Sequence, residues 1–136
     1  MGKQISIFVE NKPGKISKIT EVLKNAKINL RAMTIADSGS FGIIKIMTDN
    51  NQKAYNVLKE SNFLVTLQDV VVVEIPDRIG SFHKVAKILE KNKVNIEDAY
   101  GFIKTEGVKA VLILKVKNVK IVEKILKESG YNVVEF

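Results

Sequence analysis

The sequence predicts an α+β fold made of one βαββαβ unit written twice in tandem, each an antiparallel sheet with its helices on one face. Three observations carry this. Hydrophobic periodicity switches between that of a strand and that of a helix along the 136 residues. The order of those segments repeats. Residue identities also recur at a nearly fixed spacing: Gly14 returns 66 residues later as Gly80, with Lys18/Lys84, Leu23/Leu89, Lys27/Lys93 and Asn29/Asn95 in step. Further on, Leu58-Lys59-Glu60-Ser61 returns as Leu126-Lys127-Glu128-Ser129 at a spacing of 68, so the second copy holds two extra residues in or beside its hairpin.

Each element follows from its residues. Ile5, Ile7 and Val9 alternate, as a strand with one buried face does. Their counterpart, Val70-Val71-Val72-Val73, is a continuous apolar run and predicts a strand buried on both faces. A Gly-containing turn and a helix come next. Ile16, Ile19, Leu23 and Ala26 share one helical face, as do Phe82, Val85, Ala86 and Leu89. A second strand is expected from Ile28 and from Val94, turning near Asp37-Ser38-Gly39-Ser40 and Thr105-Glu106-Gly107 into third strands over 43–47 and 110–116. Second helices carry Ala54, Val57 and Leu58, matched by Val119, Val122 and Leu126, before last strands over about 63–67 and 131–134. Strand, helix, hairpin, helix and strand in that order describe the ferredoxin-like split βαβ.

The units are expected to occupy 1–68 and 69–136. Between them Thr66-Leu67-Gln68-Asp69-Val70 contains no Gly, Pro or Ser, unlike a flexible linker. Units this small bury little surface alone, so the two are expected to pack as one rigid body.

Composition narrows the function. At 46% hydrophobic and 27% charged, the chain suits a packed interior. Its net charge of +7 is almost all Lys, since Arg31 and Arg78 are the only arginines. The lysines are spread without a run of five, which fits a solvated surface, although the surplus would also attract an acidic partner. The absence of cysteine excludes disulfides, thiolate metal sites and iron–sulfur clusters. No apolar run approaches the roughly 20 residues of a membrane helix, and no secretory leader is visible. The expectation is a cytoplasmic protein with no membrane contact. The opening Met1-Gly2-Lys3-Gln4-Ile5-Ser6 fits the loose N-myristoylation pattern, but its strand-like alternation argues against lipidation. His83, the single histidine, aligns with Ser17 and has no nucleophile or carboxylate cluster beside it in the sequence. No catalytic residue, metal or cofactor is therefore expected.

The candidate site lies in two loops, Asn11-Lys12-Pro13-Gly14 and Asp77-Arg78-Ile79-Gly80, which join a strand to a helix. Glycine lets a ligand approach the main chain, and the helix behind it offers unpaired N–H groups and the positive end of its dipole. That combination can cradle a carboxylate or phosphate. Asn11 and Asp77 are expected either to cap those helices or to accept a hydrogen bond from a ligand's amino group. The plain alternative is a strand-to-helix turn with a Gly and a cap, and local chemistry alone favours it.

The pattern (Asn/Asp)-(Lys/Arg)-x-Gly-x-(apolar), set between an apolar strand and an amphipathic helix, resembles the ACT domain. Ile28-Asn29-Leu30 and Val94-Asn95-Ile96 resemble that family's opening of the second strand. Each motif is short; their recurrence in the same order makes the match stronger, over essentially the whole chain as two ACT units. The resemblance implies an allosteric, regulatory module that binds amino acids or similar effectors. It also implies pairing of units into a wider sheet, with ligand at an interface against the strand-to-helix loop. Carried over, it points to Asn11, Gly14, Lys15 and Ile16, and to Asp77, Gly80, Ser81 and Phe82; Arg31 and Glu97 follow the shared Asn and are expected to reach the same interface. Ile79 stands where Pro commonly precedes the Gly, and Asp77 is anionic where Asn11 is neutral, so the two loops are not expected to prefer the same ligand groups. With no catalytic domain within these residues, regulation is expected in trans, on a metabolic enzyme.

Two rivals share the topology. An RNA-recognition module needs aromatic side chains on its central strands. Ser40-Phe41-Gly42-Ile43 offers one, Gly107-Val108-Lys109-Ala110 none, and Phe8 one platform at best, so nucleic acid is not the expected partner. Acylphosphatases share the fold, but neither loop matches their phosphate loop with its Arg. The other rival is a purely structural dimerisation module. A homodimer is expected on either reading, with Tyr100 and Phe102 packing in the core or against the second copy.

Overall fold

A computed structural model describes residues 2–135. They divide into two compact units, Lys3–Gln68 and Asp69–Glu135, with Gly2 grouped with the second. The first comprises β1 (Gly2–Glu10) from Lys3 onward, α1 (Lys15–Asn25), β2 (Leu30–Ser38), β3 (Phe41–Thr48), α2 (Asn51–Glu60) and the start of β4 (Leu64–Pro76). The second takes the rest of β4, then α3 (Ser81–Lys91), β5 (Asp98–Thr105), β6 (Lys109–Lys115), α4 (Val119–Glu128) and β7 (Asn132–Val134). The two strands expected on either side of Gln68 are thus one 13-residue strand. Nothing in residues 66–70 favours a turn, so the strand runs on through them. Strand order is β2-β3-β1-β4 in the first unit and β5-β6-β4-β7 in the second. This is the α+β arrangement of two βαββαβ units. Among the described residues no helix is long and apolar enough to cross a membrane.

Alternation decides which face each sheet buries. Ile5, Ile7 and Val9 meet Ile44 and Ile46 of β3, Ile19 and Leu23 of α1, and Ala54 and Leu58 of α2 in one core. Val71, Val73 and Ile75 do the same with Leu112, Leu114, Val85, Leu89, Val122 and Leu126. The even-numbered Val70 and Val72 are buried as well, as the unbroken valine run predicts.

The second strands begin later than expected, at Leu30 and Asp98. Ile28 and Val94 instead finish the helices. Ile28 N–H donates to Leu23 C=O at 2.9 Å and Lys27 N–H to Lys24 C=O at 3.0 Å; Val94 to Leu89 and Lys93 to Glu90 repeat the pair at 2.9 Å each. These are Schellman endings, with Lys27 (φ 59) and Lys93 (φ 57) in the left-handed position.

The two extra residues of the second copy are placed by register. In β5, Ile103 pairs with Ala110 and Thr105 with Lys109, leaving Lys104 as a bulge. The other lengthens the hairpin, whose first-unit counterpart pairs Ser38 directly with Phe41.

Candidate functional site

The two strand-to-helix loops have one architecture. In the first, Asn11 N–H donates to Ser40 C=O at 2.9 Å. The Asn11 amide Nδ2 donates to Asp37 Oδ1 at 3.0 Å and to Gly39 C=O at 3.4 Å, and Gly39 N–H also donates to Asp37 Oδ1 at 3.0 Å. The loop is thereby lashed to the β2–β3 hairpin. In the second, Asp77 N–H donates to Val108 C=O at 3.1 Å. Its carboxylate Oδ2 accepts Gly107 N–H at 2.8 Å. Exchange of Asn for Asp reverses the direction of the side-chain hydrogen bond and keeps the tie.

Asn11 and Asp77 therefore do not cap the helices. That place is taken by Gly14 (φ 91) and Gly80 (φ 85), neither with a side-chain cap, whereas α2 and α4 are capped by Asn50 and Asn118. A Cβ at Gly14 or Gly80 would meet no atom within 4 Å, so the glycines are required by backbone angle and not by crowding. The first ladder bonds run from Lys18 N–H to Gly14 C=O and from Lys84 N–H to Gly80 C=O, both 3.1 Å. The N–H groups of Ile16, Ser17, Phe82 and His83 lie ahead of these bonds, at the positive helix ends. Each loop thus presents an open approach to helix-terminal N–H groups, suited to an anionic group.

The remaining predicted residues divide. Lys15 and Ile16 are half-buried at the start of α1, and Ser81 is buried at the start of α3. Phe82, expected on the core face, is exposed. Arg31 and Glu97 are not brought to the loop of their own unit. Glu10, which leads into the first loop, pairs with Phe41 at one end of β3, whereas Arg31 lies beside Leu30, which pairs with Thr48 at the other end. Seven residues of strand, roughly 20 Å, separate the two ends. Glu97 stands at the far end of β6, its N–H on Lys115 C=O at 2.9 Å and its carboxylate 3.1 Å from Lys115 Nζ. Tyr100 and Phe102 are half-buried on β5. Burial, then Asp98 nearby, pushes the Tyr100 hydroxyl above its ordinary pKa, so it stays protonated.

One feature was missed in the sequence. Beside the first loop lies a cleft of about 420 Å³, lined in part by Phe8, Glu10, Lys15, Lys18, Phe41 and Leu64. Phe8 is the one large apolar residue of β1 on the face away from the helices, and that break in alternation was the available signal. The second unit has a smaller counterpart of about 300 Å³ at the same place, bounded by Glu74, Lys109, Tyr131 and Asn132. Register makes Glu74 the equivalent of Phe8, and Lys109 that of Phe41.

Glu74 is buried, 2.8 Å from Lys109 Nζ and 3.9 Å from Lys104 Nζ, and accepts Asn132 Nδ2 at 2.8 Å. Lys104 is the bulge residue, consistent with the way a bulge re-aims a side chain. The hydrogen bond from Lys109 holds the Glu74 carboxyl below the usual carboxylate range, against the opposing effect of burial, with the charges of Lys104 and Lys109 and the Asn132 hydrogen bond assisting. Among the described residues no group of three His, Cys, Asp or Glu is placed to hold a metal ion.

Comparison with known proteins agrees with this geometry. No curated protein matches the chain in sequence. Protein BT0572 from Bacteroides thetaiotaomicron has a crystal structure that superposes with a TM-score of 0.91 at 35% identity, covering 98% of this chain and 91% of that one. The regulatory subunit of aspartate kinase from Thermus thermophilus, in its ligand-free form, has the same fold, with a TM-score of 0.68 at 17% identity over 93% of this chain and 90% of its own. That from Thermus flavus gives 0.63 at 16% identity, over 94% and 92%. The family model described as an ACT domain pair matches residues 1–135. A tandem βαββαβ repeat, two glycine loops tied alike to their hairpins and a family match across both copies lead to one conclusion: this chain belongs to the ACT-domain family, as a pair of ACT domains.

Proposed function

We propose that this ACT pair is a sensor for an amino-acid-like metabolite and that its occupancy regulates a metabolic enzyme. The observation that carries the reading is the repeated glycine loop. Each holds a left-handed Gly, an open approach and helix-terminal N–H groups behind it, on a loop fixed by its hairpin. A ligand carboxylate would sit on the N–H groups after Gly14 or Gly80. A ligand amino group would face the loop from outside, where Asp77 offers a carboxylate and Asn11 does not. Asp77 is therefore the better ammonium partner, and the two loops should differ in selectivity. The protein from Thermus thermophilus that shares this fold is the regulatory subunit of an enzyme, aspartate kinase, and this supports the regulatory reading. We include a homodimer in this reading, because β2 and β5 are sheet edges that expose Met33, Ile35 and Ile103.

A thermal-shift screen against the twenty amino acids tests the reading, since a ligand that binds only the folded state raises the melting temperature. Calorimetry with the best ligand then compares Gly14→Val, Gly80→Val, Asn11→Ala and Asp77→Ala. We expect the glycine variant of the occupied loop to lose binding, with a separate stability loss of about 1 kcal/mol from the left-handed backbone. Equal affinity in all four would remove the ligand from these loops and leave them as turns.

A further inference from the structure

We propose that the cleft of the first unit is a binding site for a small apolar carboxylate. Lys15 and Lys18 would take its charge, and Phe8, Phe41 and Leu64 its apolar body. At about 420 Å³ the cleft is within the size range of metabolite sites. Three large apolar side chains at its surface are left in water, Phe8 at 41%, Phe41 at 58% and Leu64 at 67% exposure. Single exposed apolar residues are ordinary; three around one concavity, two of them aromatic, are not. Lys15 and Lys18 have no anionic partner among the described residues. The cleft's carboxylate, Glu10, is 3.4 Å from Lys12 instead.

The second unit provides the internal contrast. At the same strand positions it replaces Phe8 by Glu74 and Phe41 by Lys109, and these join at 2.8 Å. Lys15 corresponds to Ser81, and Leu64 to Asn132, which donates to Glu74. The smaller cleft is thus lined by an ion pair. The other is lined by apolar surface and cations with nothing to satisfy them, and an apolar anion supplies both deficits. If the ligand is an amino acid, Glu10 would receive its ammonium group; that extension alone rests on the function proposed above.

The test is amide chemical-shift mapping with 3-phenylpropanoate, its neutral alcohol 3-phenylpropanol, and phenylalanine. We expect phenylpropanoate to shift residues 8–10, 41 and 61–64. The alcohol should bind at least tenfold more weakly, as should phenylpropanoate to a Lys15→Gln/Lys18→Gln variant whose melting curve matches the parent. Phe8→Glu/Phe41→Lys, which installs the second unit's ion pair, should abolish the response. Silence of the cleft at millimolar phenylpropanoate, or equal binding of acid and alcohol, would overturn the proposal. So would a uridine oligonucleotide that shifts the same residues at lower concentration, which would make the surface a nucleic-acid face. An amino acid that shifts 11–17 or 77–83 with the cleft silent would reject the cleft and keep the regulatory reading.

Discussion

Glu74 and Phe8 occupy equivalent strand positions, and the consequences diverge because one can ionise. The Glu74 carboxylate is favoured by Lys109, Lys104 and Asn132, so its folded-state pKa lies below the unfolded one. A depressed carboxylate pKa contributes stability that is present above the unfolded value, about 4.3, and is lost as pH falls through the folded value. Glu74→Gln should therefore lower stability at pH 7 by about 1–3 kcal/mol, and flatten the loss of melting temperature between pH 5 and pH 3. Melts of parent and variant across that range decide it, and parallel curves would remove Glu74 from the acid response. Asn11 and Asp77 show what was legible at this scale. Their position in the loop followed from the repeat, but their role did not, because Asp37 and Gly107 lie 26 and 30 residues away. Only the folded hairpin brings those groups within reach, and so a residue that reads as a helix cap becomes a tie between loop and hairpin.

Helices and strands are legible in kind and order because amphipathic period is a local property of the chain. Their ends are not. The strands expected at Ile28 and Val94 start later because each residue closes a Schellman motif, packing back on the helix it follows. The motif usually advertises itself with Gly, as at Gly130 after α4, but Lys27 and Lys93 hold the left-handed position without that mark. A lysine there bears a backbone cost that glycine avoids. Lys27→Gly and Lys93→Gly should each stabilise the fold by about 0.5–1 kcal/mol, net of the extra entropy glycine brings to the unfolded chain. Denaturant melts test this, and a loss of stability in both would show that the lysine side chains contribute more than their backbone angle costs. The bulge at Lys104 was hidden in a similar way. The change of repeat spacing from 66 to 68 announced two inserted residues, but spacing alone cannot divide them between a strand and a turn.

At the scale of the whole molecule, duplication has produced two copies alike in fold and unlike in chemistry, with the first cleft apolar and basic and the second internally neutralised. Both copies share an unsolved problem at the sheet edge. Met33 and Ile35 pair with Ile46 and Ile44, and Ile103 with Ala110, so all three lie on the helix-covered face of their sheets. They nevertheless remain 43%, 51% and 58% exposed. They belong to β2 and β5, whose outer edges offer unpaired backbone groups next to apolar surface, a combination that invites pairing with a second chain. A twofold homodimer covers such an edge with its own copy and closes the assembly, whereas an unclosed contact would propagate. We therefore expect sedimentation velocity at micromolar concentration to give twice the chain mass. Ile35→Lys and Ile103→Lys place a charge at the edges of β2 and β5 respectively without entering either core, and the variant that yields monomer identifies the paired edge. Effector affinity measured on that monomer then separates two designs. Unchanged affinity places the ligand within one chain, whereas a tenfold or larger loss means that the second copy completes the site. A parent protein that sediments as a monomer at these concentrations would sink the dimer and leave the exposed edges for a partner of another kind.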